Sequence, residues 1–202
     1  MKLVDFNPEK PTPEDIQAVY ERSCKGIEAW FDPAFNPNLA NSLPGFTEQE
    51  REEIKRDLLD ELSMRSSFFL LAYIETLFRT DFVLRLETNN KKKSQDVLTR
   101  SYKLEYNPTK RLFSYSLVDV IFANWKHFVL NKPNCKEMTD ILNTLPQYFD
   151  FRNWIAHGRY WVFKESSNIH KYDYTHIRIL LAHIEKYFGG LLKEKNFGHE
   201  PV

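Results

Sequence analysis

Residues 47–86 read TEQEREEIKRDLLDELSMRSSFFLLAYIETLFRTDFVLRL. The opening Thr47-Glu48-Gln49-Glu50 is a capping box, in which a hydroxyl and a carboxylate three residues apart satisfy the first free amides of a helix. A long helix is therefore expected from this point toward Leu86. In its first half, Ile54, Leu58 and Leu62 recur at helical spacing and should point inward. Glu52, Glu53, Asp57, Asp60 and Glu61, with Lys55 and Arg56 among them, make the opposite face a solvated one. The second half, which contains Phe68–Ile74 (FFLLAYI), is apolar nearly all round. A helix with that composition belongs at the centre of a helical bundle.

The rest of the chain repeats the helical period. Thr12-Pro13-Glu14-Asp15 reads as a cap followed by Pro at the first helical position. The stripe Ile16, Val19, Tyr20, Ile27 and Trp30 follows it. Asp32–Phe46 holds Pro33, Pro37 and Pro44 and reads as an ordered loop. Asn89–Asp96 reads as a surface loop, with helical material resuming near Ser94. Lys103–Phe113 has no clear period. Ser116–Leu130 carries Val118, Ile121, Phe122, Trp125 and Val129 at helical spacing. Asn134–Leu145 and Gln147–His157 are either two helices or one bent at Pro146. Tyr160–Phe163 (YWVF) reads as a short extended piece. Asp173–Lys195 is a last helix with Ile177, Leu180, Leu181, Ile184, Phe188 and Leu191 on one face. The expected fold is all-α, an antiparallel up-and-down bundle of five to seven helices. Residues 1–46, a helix and a Pro-rich loop, should pack on the bundle of residues 47–202 to give one compact domain.

Composition narrows the function classes. The 202 residues carry 28 Lys+Arg and 28 Asp+Glu, a formal net charge of zero. That balance argues against coating nucleic acid by charge alone, though a local basic site stays open. With mean hydropathy −0.52 and no apolar run near ~18 residues, no membrane span is expected. The N-terminal residues MKLVDFNPEKPTPED have no apolar signal core. Cys24 and Cys135 form neither a CxxC motif nor a disulfide framework, which suits a reducing cytoplasm. No HExxH, glycine-rich phosphate loop or GxSxG is present. His176 and His183 share a helix face but stand ~10 Å apart along it, too far for one metal ion. No metal and no cofactor are expected.

The segment richest in chemistry is Tyr148–Gly158, YFDFRNWIAHG. At ~100° per residue, Tyr148, Phe151 and Ile155 share a face that should pack on the bundle. Asp150, Asn153 and His157 form a stripe roughly opposite and should point outward. Phe149 and Trp154 flank that stripe, which suggests a face covered by a second subunit. Arg152 lies about 140° from His157 around the helix. Gly158 reads as the residue that ends the helix.

Arg152-Asn153-Trp154-Ile155-Ala156-His157-Gly158 resembles the Arg-x4-His motif of the HEPN superfamily, the nucleotide-binding domain shared by higher eukaryotes and prokaryotes. Asn153 is similar to the polar residue that the family favours after the Arg, and Gly158 and Tyr160 match its pattern loosely. Some HEPN toxins carry a Tyr two residues after the His, where this chain has Arg159. Phe68–Leu77, with Glu75 inside an apolar helix, resembles the family's early central helix. The resemblance covers Thr47–Leu192 and leaves residues 1–46 outside it.

The resemblance implies a metal-independent endoribonuclease that works as a homodimer in the cytoplasm, as a toxin or phage-defence effector. RNA is then the substrate, and an antitoxin protein is a further partner. Arg152 and His157 are the implied catalytic pair, with Asn153, Asp150, Glu75 and Tyr160 supporting or orienting them. In the family the motifs of two protomers meet at a two-fold axis in one cleft. The alternative is a non-catalytic HEPN-like module that binds a nucleotide, RNA or a protein. Each residue also has a plainer reading. His157 can be a helix cap, Arg152 an ion-pair partner of Asp150 or Glu75, and Glu75 a locally paired acid. Tyr160 and Trp161 can be core or interface, and Lys91-Lys92-Lys93 a charged loop tip.

Overall fold

The computed structural model describes residues 11–88, 96–159, 163 and 166–193. The fold is an all-α helical bundle. Its helices are α1 (Pro13–Phe31), the single turn α2 (Leu39–Ser42), α3 (Glu48–Glu87), α4 (Val97–Glu105), α5 (Ala123–Val129), α6 (Cys135–Ala156) and α7 (Tyr174–Phe188). No strand occurs among the described residues. None of their helices is long and apolar enough to cross a membrane. Tyr160, Trp161, Lys91-Lys92-Lys93, the expected helix start near Ser94 and the expected helix end at Lys195 lie outside the described residues.

The expected capping box at Thr47 forms, and the cap at Thr12 is a capping box as well. The Thr12 hydroxyl accepts from the Asp15 amide at 3.2 Å while the Asp15 carboxylate takes the Thr12 amide at 2.9 Å. Thr47 and Glu50 repeat the pattern at 3.2 and 2.7 Å. Pro146 sits inside α6 without ending it. It cannot donate to the preceding turn, which costs roughly 3 kcal/mol in a helix interior. The face formed by Met138, Leu142, Leu145 and Phe149 is buried on both sides of the proline, and this continuous packing keeps the helix in one piece.

Chain contacts divide the bundle into two compact units. Of the described residues, the first comprises Ala72–Asp150 and Ile179–Lys193; the second comprises Pro11–Leu71 and Phe151–Arg178. In the first unit, Phe78 of α3 meets Phe122, Trp125 and Phe188 edge to face at 5.0, 5.9 and 5.7 Å between ring centres. Phe82 does the same with Tyr102 at 4.8 Å. Leu117–Phe122 is a wide π-helical turn before α5. Such a turn disturbs the regular carbonyl pairing. The buried Asn124 amide donates to the Val120 carbonyl at 2.8 Å and to Glu105 at 3.0 Å.

A buried ionic network closes the same unit, and nothing in the sequence pattern announces it. Asp81 and Arg85, one turn apart on α3, pair at 2.7 Å with side-chain exposures of 0% and 3%. Asp81 also accepts the Lys193 amide at 2.8 Å. Arg85 donates to Asp96 at 2.9 Å and to the Leu191 carbonyl at 2.7 Å. Its guanidinium lies over Trp125 and Phe128. The turn it holds begins at Gly189, where a Cβ would stand 2.5 Å from the Glu185 carbonyl oxygen.

The second oxygen of Asp81 is buried with no hydrogen-bond donor. Burial pushes this carboxyl up from 3.8 to about 6, against the opposing pull of Arg85 and Lys193. A raised folded-state pKa means that the folded chain holds this proton more tightly than the unfolded chain does. The contribution of Asp81 to stability is therefore largest below its unfolded pKa and is lost as pH rises through about 6. Urea unfolding should show the wild type gaining stability relative to Asp81→Asn as pH falls from about 6 toward 4, with a flat difference above pH 7.

In the second unit, Phe151 stacks on Tyr172 at 4.8 Å and meets Phe163 at 5.6 Å. Tyr20 stacks on Tyr174 at 3.9 Å, and the Tyr174 amide donates to the Ser63 hydroxyl at 3.0 Å. Several expected core positions are solvent-facing: Val19, Trp30, Leu58 and Phe69 are all exposed, whereas Phe31 is buried. Helical spacing locates an apolar stripe but not its width. Phe69 belongs to a run so apolar that no polar residue marks its outer edge.

Candidate active site at the end of α6

The last turns of α6 carry the Arg-x4-His segment. Phe151 is fully buried, Arg152 is half-buried, and Asn153 and His157 are exposed. Asp150, in the first unit, is exposed as well. The outward stripe expected from the helical period is present. Arg152 reaches Asn153 directly, its guanidinium donating to the amide oxygen at 3.0 Å. Burial lowers the Arg152 pKa from its ordinary value, but guanidinium stays protonated at any physiological pH. The contact fixes one edge of the guanidinium and leaves the Asn153 amide nitrogen to donate elsewhere.

The aromatic flanks differ from expectation. Phe149 is only 6% exposed and packs on Phe122 at 5.9 Å. It belongs to this chain's own core, not to a surface awaiting a second subunit. Trp154 is half-buried and stacks on Phe163 at 5.5 Å. The chain's own residues therefore take up much of the aromatic surface beside the stripe. Glu75, in the first unit, accepts from Arg79 at 2.6 Å. Tyr160 lies outside the described residues. Among the described residues no group of three or more His, Cys, Asp or Glu gathers around a point where a metal could sit.

The helix end is built around His157. The Gly158 amide donates to the Ile155 carbonyl and the Arg159 amide to the Trp154 carbonyl, both at 3.0 Å. This is the Schellman arrangement, with His157 as the last half-helical residue and a left-handed residue after it. Gly158 has φ 71°. A side chain there meets its own backbone, so Gly158→Ala should cost about 1 kcal/mol, read as a lower urea midpoint at unchanged m-value.

Arg159, which the sequence marks only as a departure from the motif, adjoins this candidate site. It also has positive φ, 60°, a conformation that costs a non-glycine residue roughly 1 kcal/mol. Its guanidinium binds Glu61 of α3 at 2.6 Å and lies 5.8 Å from the Trp154 ring. Glu61 also takes Arg65 at 3.2 Å. The Arg159 guanidinium, helped by Arg65, holds the Glu61 carboxyl below the usual carboxylate range. A partner 98 positions away leaves no periodic trace in the chain.

No family model, no curated protein and no solved structure matches the chain.

Proposed function

We propose that the chain is a HEPN-type, metal-independent endoribonuclease in which Arg152 and His157 act on one phosphodiester. The observation that carries the reading is the Arg152–Asn153 contact at 3.0 Å, one turn before an exposed His157 on the same helix. RNA brings its own nucleophile, the 2′-OH beside each phosphate. The His157 imidazole removes the 2′ proton as general base. The 2′ oxygen attacks phosphorus, and the bond from phosphorus to the 5′ oxygen breaks. A protonated imidazole delivers a proton to that leaving oxygen. Arg152, oriented by Asn153, offers a planar fork of donors to the charge that gathers on the phosphorane.

One His157 cannot be base and acid in the same instant. Two copies related by a two-fold axis supply both. The exposed stripe on α6 suits such a meeting, and the homodimer is part of the proposal. A cytoplasmic toxin or defence role, with an antitoxin protein as inhibitor, follows from the same resemblance. Zero net charge fits a small cleft that grips one phosphate better than a surface that coats a strand.

The test is purified protein with mixed RNA in excess EDTA. Cleavage by the wild type and none by Arg152→Ala or His157→Ala is the expected result. Binding without cleavage, surviving in His157→Ala, would replace this reading with the non-catalytic module.

A further inference from the structure

The ion pair between Arg159 and Glu61 connects the turn that ends α6 to α3 within one compact unit. Three observations converge on it. Arg159 stands in the left-handed region, where Gly or Asn is the ordinary choice. Its guanidinium is held at two points, by the Glu61 carboxylate at 2.6 Å and by the Trp154 ring at 5.8 Å. The amides of Gly158 and Arg159 close the Schellman turn that carries His157. Strained backbone of this kind persists where surrounding contacts over-determine it, and such places cluster at functional sites.

We propose that Glu61 and Arg159 are positioning residues that act through the turn on His157. The inference rests on the ribonuclease reading for its purpose and on the geometry alone for its effect. His157 is the last residue with helical pairing, its amide bound to the Asn153 carbonyl at 3.0 Å. An untethered helix end frays, and a fraying residue sweeps its ring through many orientations. Tethering the two residues that follow narrows that sweep. An imidazole that must sit within hydrogen-bond reach of a 2′-OH gains rate from this restriction without any direct contact between Arg159 and RNA. Arg65 is the other cation on Glu61, at 3.2 Å.

Two variants test the tether. Arg159→Gly removes the guanidinium while favouring the left-handed backbone. Glu61→Gln keeps the size of the partner and removes its charge. Each should lower kcat on RNA by about 10- to 100-fold with KM nearly unchanged. Arg159→Lys should recover part of the loss. Nitrogen-15 spectra of the imidazole rings give a readout that needs no activity. The His157 signals should shift or broaden in both variants, while those of His176 and His183 stay in place.

Unchanged His157 signals in both variants would overturn the proposal whether or not RNA is cut. A rise in KM at constant kcat would overturn it too, since that marks a cation gripping substrate. Displaced His157 signals in a wild-type background that cuts no RNA would leave the tether standing and remove the ribonuclease reading alone.

Discussion

Arg85→Met should destabilise the protein by about 3–5 kcal/mol at pH 7. That is a large share of the roughly 5–15 kcal/mol that separates folded from unfolded chains. Methionine has similar length and fills the space under Trp125 and Phe128, so lost packing is a small part of the effect. The main cost is electrostatic. Removing the guanidinium strands a carboxylate with 0% side-chain exposure and leaves Asp81 only the Lys193 amide. It also frees the Leu191 carbonyl and releases Asp96, which caps α4 by accepting the Thr99 amide at 2.8 Å. The loss should shrink near pH 5, because Asp81, already raised to about 6 in the intact network, then takes up a proton and no longer needs a cation. Urea unfolding at pH 7 and pH 5 checks both statements. A loss below about 1 kcal/mol at pH 7, the range of exposed pairs, would mean that the network does not anchor this unit.

His157→Ala should reduce RNA cleavage by about 10²–10⁴-fold, the usual contribution of a positioned acid–base group. It should leave the fold intact, because His157 is exposed and the bond from its backbone amide to the Asn153 carbonyl is one that Ala retains. Arg152→Ala should remove a comparable factor through lost stabilisation of the phosphorane. The half-buried Arg152 packs more closely, so that variant should also unfold somewhat earlier. Loss of activity without loss of fold separates chemistry from structure in the first variant. In the second, an activity loss far larger than the stability loss does so.

Much of this architecture can be read from the chain, and the reasons are local. The Thr12/Asp15 and Thr47/Glu50 boxes fix the starts of α1 and α3 because capping needs only residues three apart. The buried face of α7, Ile177, Leu181, Ile184 and Phe188, follows from spacing alone. The exposed stripe of Asp150, Asn153 and His157 follows from the same arithmetic. Where partners lie far apart in sequence, no local pattern marks them. Arg85 looks like one more cation on a long helix, and its pairing with Asp96 and Leu191 depends on how α4 and the end of α7 return. Arg159 looks like a mismatch after the motif until Glu61 stands beside it. Phe149 looks like a surface aromatic because helical angle places it beside polar neighbours. Phe122, from another helix, decides its burial.

The most direct measurement is the chemistry of the RNA ends made in excess EDTA. Attack by the 2′ oxygen, with His157 moving the protons, yields a 2′,3′-cyclic phosphate on one fragment and a free 5′-hydroxyl on the other. Those ends, formed by the wild type and absent with Arg152→Ala and His157→Ala, are the expected result. No cleavage in EDTA, 5′-phosphate ends, or the same products from either variant would contradict the account.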